Sequence, residues 1–168
     1  ATFDSLSLGN LHDTAWLARE AGVRVFPGVD LANDLEPEYI SVAPDGLTAR
    51  VTLQEANAFA VLDIATATIT ELQPLGVKDH SLPGYGLDAS DRDDAINIAN
   101  WPVFGMYMPD AVTSFEIAGV AYYATANEGD DRGEDERIKD LILDPTAFPD
   151  AAILQADENV GRLGVSTI

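Results

Sequence analysis

Alternation of apolar and polar residues is clearest between Pro37 and Leu75, where it predicts four short β-strands. Tight connections separate the strands, and the turn at 44–46 joins a proline that fixes φ to a glycine that tolerates positive φ. No 3.6-residue period runs through this stretch, so a helix is not expected. The four strand candidates are YISVA, TARVTL, AFAVLD and TITELQ. Short strands joined in this way predict one antiparallel sheet of the size of a propeller blade.

The spacing of this first stretch recurs further along the chain. Pro37 and Pro109 each open an apolar run and lie 72 positions apart. Glu55 and Glu128 lie 73 positions apart, so the two stretches align after one added residue. Identity between them is low but the spacing is consistent, which predicts an internal repeat. Two unrelated hairpins that each begin with proline would give the same pattern.

These patterns divide the chain into four consecutive parts of one truncated domain. The lead-in is predicted to hold a short helix at 11–22 and a strand, VRVF. The insertion between the repeats is rich in Gly, Asp and Asn, and a loop of that length is usually functional or a lid. The parts are the lead-in at 1–34, a first blade at 35–75, the insertion at 76–108 and an incomplete second blade at 109–168. The expected fold class is mainly β, a partial β-propeller of about two four-stranded antiparallel blades with a long inter-blade insertion and a short N-terminal helix.

Composition fits a folded domain with a strongly acidic surface. The 168 residues are 46% apolar, and 29 acids against 9 basic residues give a net charge of −20. Such a surface repels nucleic acid and anionic membranes, and it favours solubility and cations. There is no cysteine, and no apolar run approaches the roughly 20 residues of a membrane span.

The two ends of the chain indicate a piece of a longer protein. The chain begins ATFDS without an initiator methionine and ends GRLGVSTI on a strand-like run. Two blades cannot close a propeller ring, and open blade edges invite pairing with another chain. We therefore expect this fragment alone to be inactive or to self-associate through these edges.

Several motifs, in a fixed order between residues 24 and 165, resemble one known family. They include DLEPEYI, LQEAN, PLGVKDHS, LDASDRD, INIANWPVFGMYMPDA, TANEGDDR and LDPTAFPDA. Together they resemble the choice-of-anchor I family, and the first blade alone resembles the YVTN-repeat β-propellers of secreted and surface-layer proteins. Bacterial members are named alkaline phosphatases or phytase-like esterases, and animal relatives are named mesenchyme-specific cell surface glycoproteins. The resemblance implies a location that is extracellular, periplasmic or at the cell surface, and it assigns no catalytic residue.

Two functions follow from this resemblance. The first is a secreted, metal-dependent alkaline phosphatase-like phosphomonoesterase, a hydrolase acting on a phosphate ester or other small anionic substrate. The alternative is a non-catalytic extracellular propeller that serves as a surface interaction or ligand-binding module. The sequence carries no GxSxG elbow, P-loop, HExxH or Gly-rich dinucleotide loop, so a serine hydrolase is not supported.

Propeller geometry predicts that the acidic loops share one face. In a blade, the loops that join the second strand to the third and the last strand to the next blade emerge on the same side. Carboxylates crowded there repel one another unless they are protonated or bind a cation, and oxygen ligands suit Ca²⁺, with Mg²⁺ or Mn²⁺ as alternatives. The predicted metal ligands are Asp88, Asp91, Asp93, Glu128 and Asp130, with Glu38 and Glu55 as second choices. The other interpretation is that these acidic turns are only solvated.

Three side chains are candidates for catalysis beside such a metal. His80 could bind the metal or protonate a leaving group, and Arg92 and Arg132 could hold phosphate oxygens. Each also has a structural interpretation, His80 as an ordinary hydrogen-bonding residue and the arginines as groups that neutralise neighbouring acids. Three aromatic residues are interpreted as packing that pins the insertion, namely Trp101, Phe104 and Tyr107.

Overall fold

The computed structural model describes most of the chain as two compact units. The first lies within Ala1–Gly76 and Met106–Asp130, and the second within Val77–Gly105 and Asp131–Thr167. The residues described are 18–19, 21–26, 30–90, 93–129, 136–157, 160–162 and 164–165. Among them, no helix has the length and apolar character needed to cross a membrane.

Antiparallel strands make up most of the described secondary structure. The strands are β1 (Pro37–Val42), β2 (Thr48–Leu53), β3 (Ala58–Asp63), β4 (Thr68–Pro74), β5 (Val77–Asp79), β6 (Leu87–Asp88), β7 (Ile98–Ala99), β8 (Phe104–Met106), β9 (Pro109–Ile117), β10 (Val120–Asn127), β11 (Glu136–Arg137) and β12 (Gly164–Val165). The helices with described bounds are short: two α-helices, Leu31–Asp34 and Ala151–Ala156, and two 3-10 helices, Ile138–Asp140 and Val160–Arg162. The mainly β class expected from the sequence is confirmed.

A four-stranded antiparallel sheet in the order β1-β2-β3-β4 forms the body of the first unit. β2 and β3 begin and end at the residues that the apolar pattern predicts, because their alternation is unbroken and their turns are short. The predicted sheet is confirmed, and its strand order is that of a propeller blade. The boundaries of the blades stay a prediction.

The core of the first unit lies between this sheet and the lead-in. Leu31, Leu35 and Leu53 are at most 1% exposed, and burying each contributes about 1.5–3 kcal/mol. The sheet presents small residues to the lead-in, which lets the two approach closely: Ala56, Ala58 and Ala60 are all fully buried. Of the helix predicted at 11–22, the described residues 18 and 19 are helical and 21 and 22 form a turn, while the remainder lies outside the described residues.

The strand predicted at residues 23–26 is wrong, because none of these residues is in a strand. Arg24 N instead donates a hydrogen bond of 3.0 Å to Ala56 O in the loop between β2 and β3. Val23 and Val25 are each 2% exposed. Their alternation therefore reflects burial against the sheet, and not pairing with another strand.

The hairpin β9–β10 is the second sheet of the first unit. Its turn consists of Ala118 and Gly119, whose φ angles of 51° and 79° fit a two-residue type I′ turn. On one face of the hairpin, the Tyr123 ring lies 6.5 Å from that of Phe59 and carries the Arg50 guanidinium at 5.1 Å from its centroid. These contacts join this face to the four-stranded sheet.

The hairpins β1–β2 and β9–β10 share backbone details that the repeat predicts. The residue before each opening proline has positive φ, 34° at Glu36 and 44° at Met108. Left-handed backbone is uncommon for residues with a Cβ, so its recurrence at matching positions is informative. Each hairpin also contains a register shift next to that proline.

Strand register corrects the predicted alignment of the two hairpins by one position. Pro37 pairs with Leu53, and Pro109 pairs with Asn127. Glu128 follows Asn127 directly, so its equivalent is the glutamine after Leu53 and not the glutamate one position further on. The second hairpin has longer strands and a shorter turn than the first. Residue identities do not report this difference, so the alignment from sequence was shifted by one position.

The second unit contains three short antiparallel pairs, β5–β8, β6–β7 and β11–β12. Two of these pairs lie in the insertion, so it has more regular structure than its composition indicates. In the C-terminal part, Gln155 Nε2 donates to Ile138 O at 3.0 Å and to Leu141 O at 2.7 Å, which holds the helix Ala151–Ala156 against the 3-10 helix Ile138–Asp140.

Replacing Ala118 with asparagine is expected to raise the free energy of unfolding by about 1 kcal/mol. A left-handed alanine costs about 1–2 kcal/mol, whereas Asn-Gly is the pair that type I′ turns favour. Urea unfolding of Ala118→Asn measures the change. The control is Ala121→Asn in β10, where asparagine has low strand propensity and is expected to lower stability. A loss of stability in both variants would show that the turn is not type I′.

The carboxylate of Asp63, in the turn that follows β3, makes the stability of the protein depend on pH in the acidic range. Its Oδ1 accepts hydrogen bonds from Thr66 Oγ1 at 2.7 Å and Thr66 N at 2.8 Å. The hydroxyl bond first, and then the backbone bond, hold the pKa of Asp63 below its ordinary value of 3.8. A lowered carboxyl pKa adds stability above the ordinary value, and this stability is lost as pH falls through the folded-state pKa.

Thr66→Ala is therefore expected to raise the pKa of Asp63 toward its ordinary value, as followed by NMR titration of the carboxyl carbon. The matched control is Thr70→Ala, because Thr70 Oγ1 donates to Val61 O and not to the carboxylate. An equal shift in both variants would contradict the assignment.

Candidate functional site

The predicted site residues are divided between the two units and the undescribed positions. His80, Asp88 and Asp93 belong to the second unit, and Glu128 belongs to the first. The remaining candidates lie outside the described residues: Asp91, Arg92, Asp130 and Arg132.

His80 is buried and holds the backbone of the insertion. Its Nδ1 donates to Tyr85 O at 2.6 Å, and its main-chain N–H donates to Val103 O at 3.0 Å. Nε2 faces Gly105 so closely that a Cβ added to this glycine would lie 2.6 Å away. With 9% exposure and this packing, the ring has the geometry of a structural histidine, while its catalytic role stays a prediction.

Two further side chains of the insertion bind its own backbone. Trp101 is 9% exposed, and its Nε1 donates to Leu87 O at 2.9 Å. Asn100 Nδ2 donates to the carbonyl oxygen of His80 at 3.0 Å. The packing interpretation is wrong for Phe104, whose side chain is 67% exposed.

Several acidic residues serve as turn caps, a use that the sequence interpretation did not consider. Asp93 Oδ1 accepts from the N–H two positions later at 3.2 Å, and Asp45, Asp79 and Asp144 make the same contact at 2.7–2.9 Å. The hydroxyl of Ser81 also lowers the pKa of Asp79. The formation of turns therefore explains why some of the loops contain aspartate.

Glu128 lies at the exposed end of β10 beside an open cleft of about 320 Å³. The cleft is lined by Asp110, Ala126, Asn127 and Glu128. Among the described residues, no three His, Asp or Glu side chains converge where they could hold a metal ion. Two of the predicted ligands, Asp91 and Asp130, lie outside the described residues, so the metal site stays a prediction.

Asn57 is a structural centre that sequence reasoning did not find. It is 2% exposed, and its Oδ1 accepts from the backbone of Tyr107 at 2.9 Å and of Met108 at 3.1 Å. Its Nδ2 donates to Gly76 O at 2.8 Å. One carboxamide thus holds the point where the chain enters the insertion and the point where it returns. The signal in the sequence is the position of this residue in the QEAN loop, two positions after the candidate ligand Glu55.

Two neighbours of Asn57 connect β2 to the second hairpin. Thr52 Oγ1 accepts from Tyr39 N at 2.8 Å and donates to Asp110 O at 2.9 Å, and the residue is fully buried. Gln54 Nε2 donates to Gly129 O at 3.3 Å. Neutral polar side chains at and just after the end of β2 therefore hold the open end of the hairpin, where β9 begins and β10 ends.

The face of β9–β10 opposite Tyr123 is apolar and exposed. Four cross-strand pairs form this apolar strip: Ala111–Ala126, Thr113–Ala124, Phe115–Tyr122 and Ile117–Val120. The rings of Phe115 and Tyr122 stack with centroids 5.7 Å apart and an angle of 15°, yet their side chains stay 42% and 45% exposed. Ile117 and Val120 are 57% and 53% exposed. The strip is a second feature that residue chemistry alone did not single out.

Removing the Asn57 carboxamide is expected to cost about 2–4 kcal/mol, because three backbone groups lose their partner in a buried site. Asn57→Ala tests this in urea unfolding, with hydrogen exchange at Tyr107 and Met108 as a local readout. Asn57→Gly keeps the positive φ of 50° and separates turn conformation from side-chain bonding.

The surface control for this prediction is Asn127→Ala, which is expected to change stability by no more than about 0.5 kcal/mol. Stability of Asn57→Gly equal to that of the unsubstituted chain would show that the three hydrogen bonds do not stabilise the unit.

Comparison with known proteins gives a family but no individual relative. No curated protein and no solved structure matches this chain. The family model of the choice-of-anchor I domain matches residues 1–168. The chain therefore belongs to the choice-of-anchor I domain family.

Proposed function

We propose that this protein is a non-catalytic extracellular module that binds a partner at the cell surface. Membership of the choice-of-anchor I family indicates a cell-surface or extracellular protein. The observation that carries the proposal is the exposed apolar strip on β9–β10. Contiguous apolar patches on a folded domain mark interaction sites.

The strip is a continuous uncharged surface on a strongly acidic protein. A net charge of −20 covers the protein with carboxylates, yet none of the eight residues of the strip is charged. Its centre is the pair Phe115 and Tyr122, whose rings stack across the two strands of the hairpin. Rigid aromatic side chains are enriched at protein interfaces, since they bury a large area at a small entropic cost.

The described residues give less support to a phosphomonoesterase. His80 uses Nδ1 to hold a backbone carbonyl, and Glu128 has a single other carboxylate in its cleft. A phosphoester hydrolase needs a nucleophile or an activated water together with groups that hold phosphate oxygens. The proposal therefore assigns binding, and not turnover, to this domain.

The proposal is tested by adhesion of the purified chain to cell-envelope fractions. Replacing both Phe115 and Tyr122 with serine is expected to weaken retention about tenfold or more, as loss of an aromatic hot spot does. The matched control is Phe148→Ser, which removes an aromatic side chain of 51% exposure from another part of the chain and is expected to retain binding.

The same preparations are assayed for aryl phosphate hydrolysis with and without Ca²⁺, Mg²⁺ or Mn²⁺, and no turnover is expected. Turnover that a metal stimulates and Glu128→Gln abolishes would overturn the proposal in favour of the esterase. Retention that is equal in the double variant and the unsubstituted chain would remove its structural basis.

A further inference from the structure

We propose that the outer edge of β10, together with the apolar strip, binds an extended segment of a partner by strand addition, and that this segment alternates apolar with basic residues. The inference rests on the proposed function and names the chemistry of its partner. Strand addition gives affinity through main-chain hydrogen bonds and specificity through alternate side chains.

Within the described residues, most of the outer edge of β10 lacks the charge, proline or bulge that commonly protects a strand edge. Within the part of the chain that the structure describes, β9 is the only strand paired with it. Natural edges are protected by charge, proline or bulges. Val120–Asn127 contains no charged residue and no proline, and its register shift is confined to the last two residues.

In the first sheet, the strand edge equivalent to the outer edge of β10 is paired with another strand. There β2 corresponds to β10, and all six residues of β2 pair on their outer side with β3, an apolar strand with the sequence AFAVLD. The corresponding third strand is not present beside β10 among the described residues. An apolar extended segment therefore has a structural precedent within the same unit.

Turn geometry identifies the backbone groups that would make the contact. In a two-residue hairpin the pair that flanks the turn, Ile117 and Val120, is hydrogen-bonded across the strands. Since hydrogen-bonded and non-hydrogen-bonded pairs alternate, Ala121, Tyr123 and Thr125 direct their N–H and C=O groups away from β9. Side chains of an added strand would lie beside Tyr122 on the face of the strip.

Charge decides which extended segment fits best. Along an added strand, the side chains that alternate with the apolar ones would point to the opposite face of the hairpin, where β9 carries Glu116. Asp110 and Glu128 lie at the end of the hairpin away from its turn, and no lysine or arginine occurs between Arg92 and Arg132. A second copy would bring another chain of charge −20 to the same edge, and long-range repulsion opposes that pairing at low salt. A segment with basic residues between its apolar ones complements the flanking carboxylates.

The test uses labelled peptides of about ten residues, the length of an ordinary strand. An alternating Val-Lys peptide is expected to bind saturably by fluorescence anisotropy, and its affinity is expected to fall as salt rises. A Val-Glu peptide is expected not to bind, and a Ser-Lys peptide is expected to bind at least about tenfold more weakly because it lacks apolar contacts. Hydrogen exchange should slow at the amides of Ala121, Tyr123 and Thr125.

Two variants distinguish the contribution of the backbone edge of β10 to binding from that of the apolar strip. Ala121→Pro removes an outward N–H without removing a bond to β9, and Tyr122→Ser removes half of the stacked pair. Each is expected to weaken binding of the Val-Lys peptide about tenfold or more, while Phe148→Ser leaves it unchanged. Far-UV circular dichroism and urea unfolding establish that each variant is folded.

Binding of the Val-Lys peptide that both variants leave unchanged would overturn strand addition, because attraction to the acidic surface alone would explain it. Dimers seen by light scattering that Ala121→Pro dissociates, without peptide binding, would assign the edge to a second copy instead. No peptide binding together with strip-dependent adhesion to cell envelopes would overturn this inference and leave the proposed function standing.

Discussion

The carboxamide of Asn57 is the contact on which the arrangement of the first unit depends. It satisfies three backbone groups, at Gly76, Tyr107 and Met108, that are distant along the chain. A buried backbone group without a partner costs about 1–3 kcal/mol, so these groups keep their positions around one side chain. Because β9 begins directly after Met108, the same contact also sets where the second hairpin and its apolar strip lie relative to the four-stranded sheet.

Neutral polar side chains make the links that join β2 to the second hairpin, and many aspartates cap turns at the surface. The buried links at the end of β2 use Thr52, Gln54 and Asn57, whose hydrogen-bonding groups satisfy backbone without bringing a charge into the core. Many aspartates instead lie in exposed turns and accept N–H groups two or three positions further along the chain. Aspartates that cap exposed turns stay in contact with water, which avoids the cost of burying an unpaired carboxylate. The carboxylates of Asp34 and Glu55, in contrast, belong to buried residues.

Local signals in the sequence predicted the first sheet well, and long-range contacts account for what they missed. Unbroken alternation and tight turns are local, so β2 and β3 were located to the residue. The role of Asn57 depends on backbone that is 19 to 51 positions away, which no pattern near QEAN reports. The acids of the predicted metal site were equally visible, but whether they converge depends on loop conformations that composition does not determine.

Holding both ends of the insertion at one side chain makes that segment a modular appendage of the sheet. The entropy of closing a loop rises only slowly with its length, by about 0.6 kcal/mol for each doubling. Because Asn57 fixes Gly76 and Tyr107, the segment between these two residues can change in length or sequence without altering the register of β4 or β9. The insertion can therefore change while the four-stranded sheet and the second hairpin keep their structure, which makes it a suitable place for grafting foreign sequences.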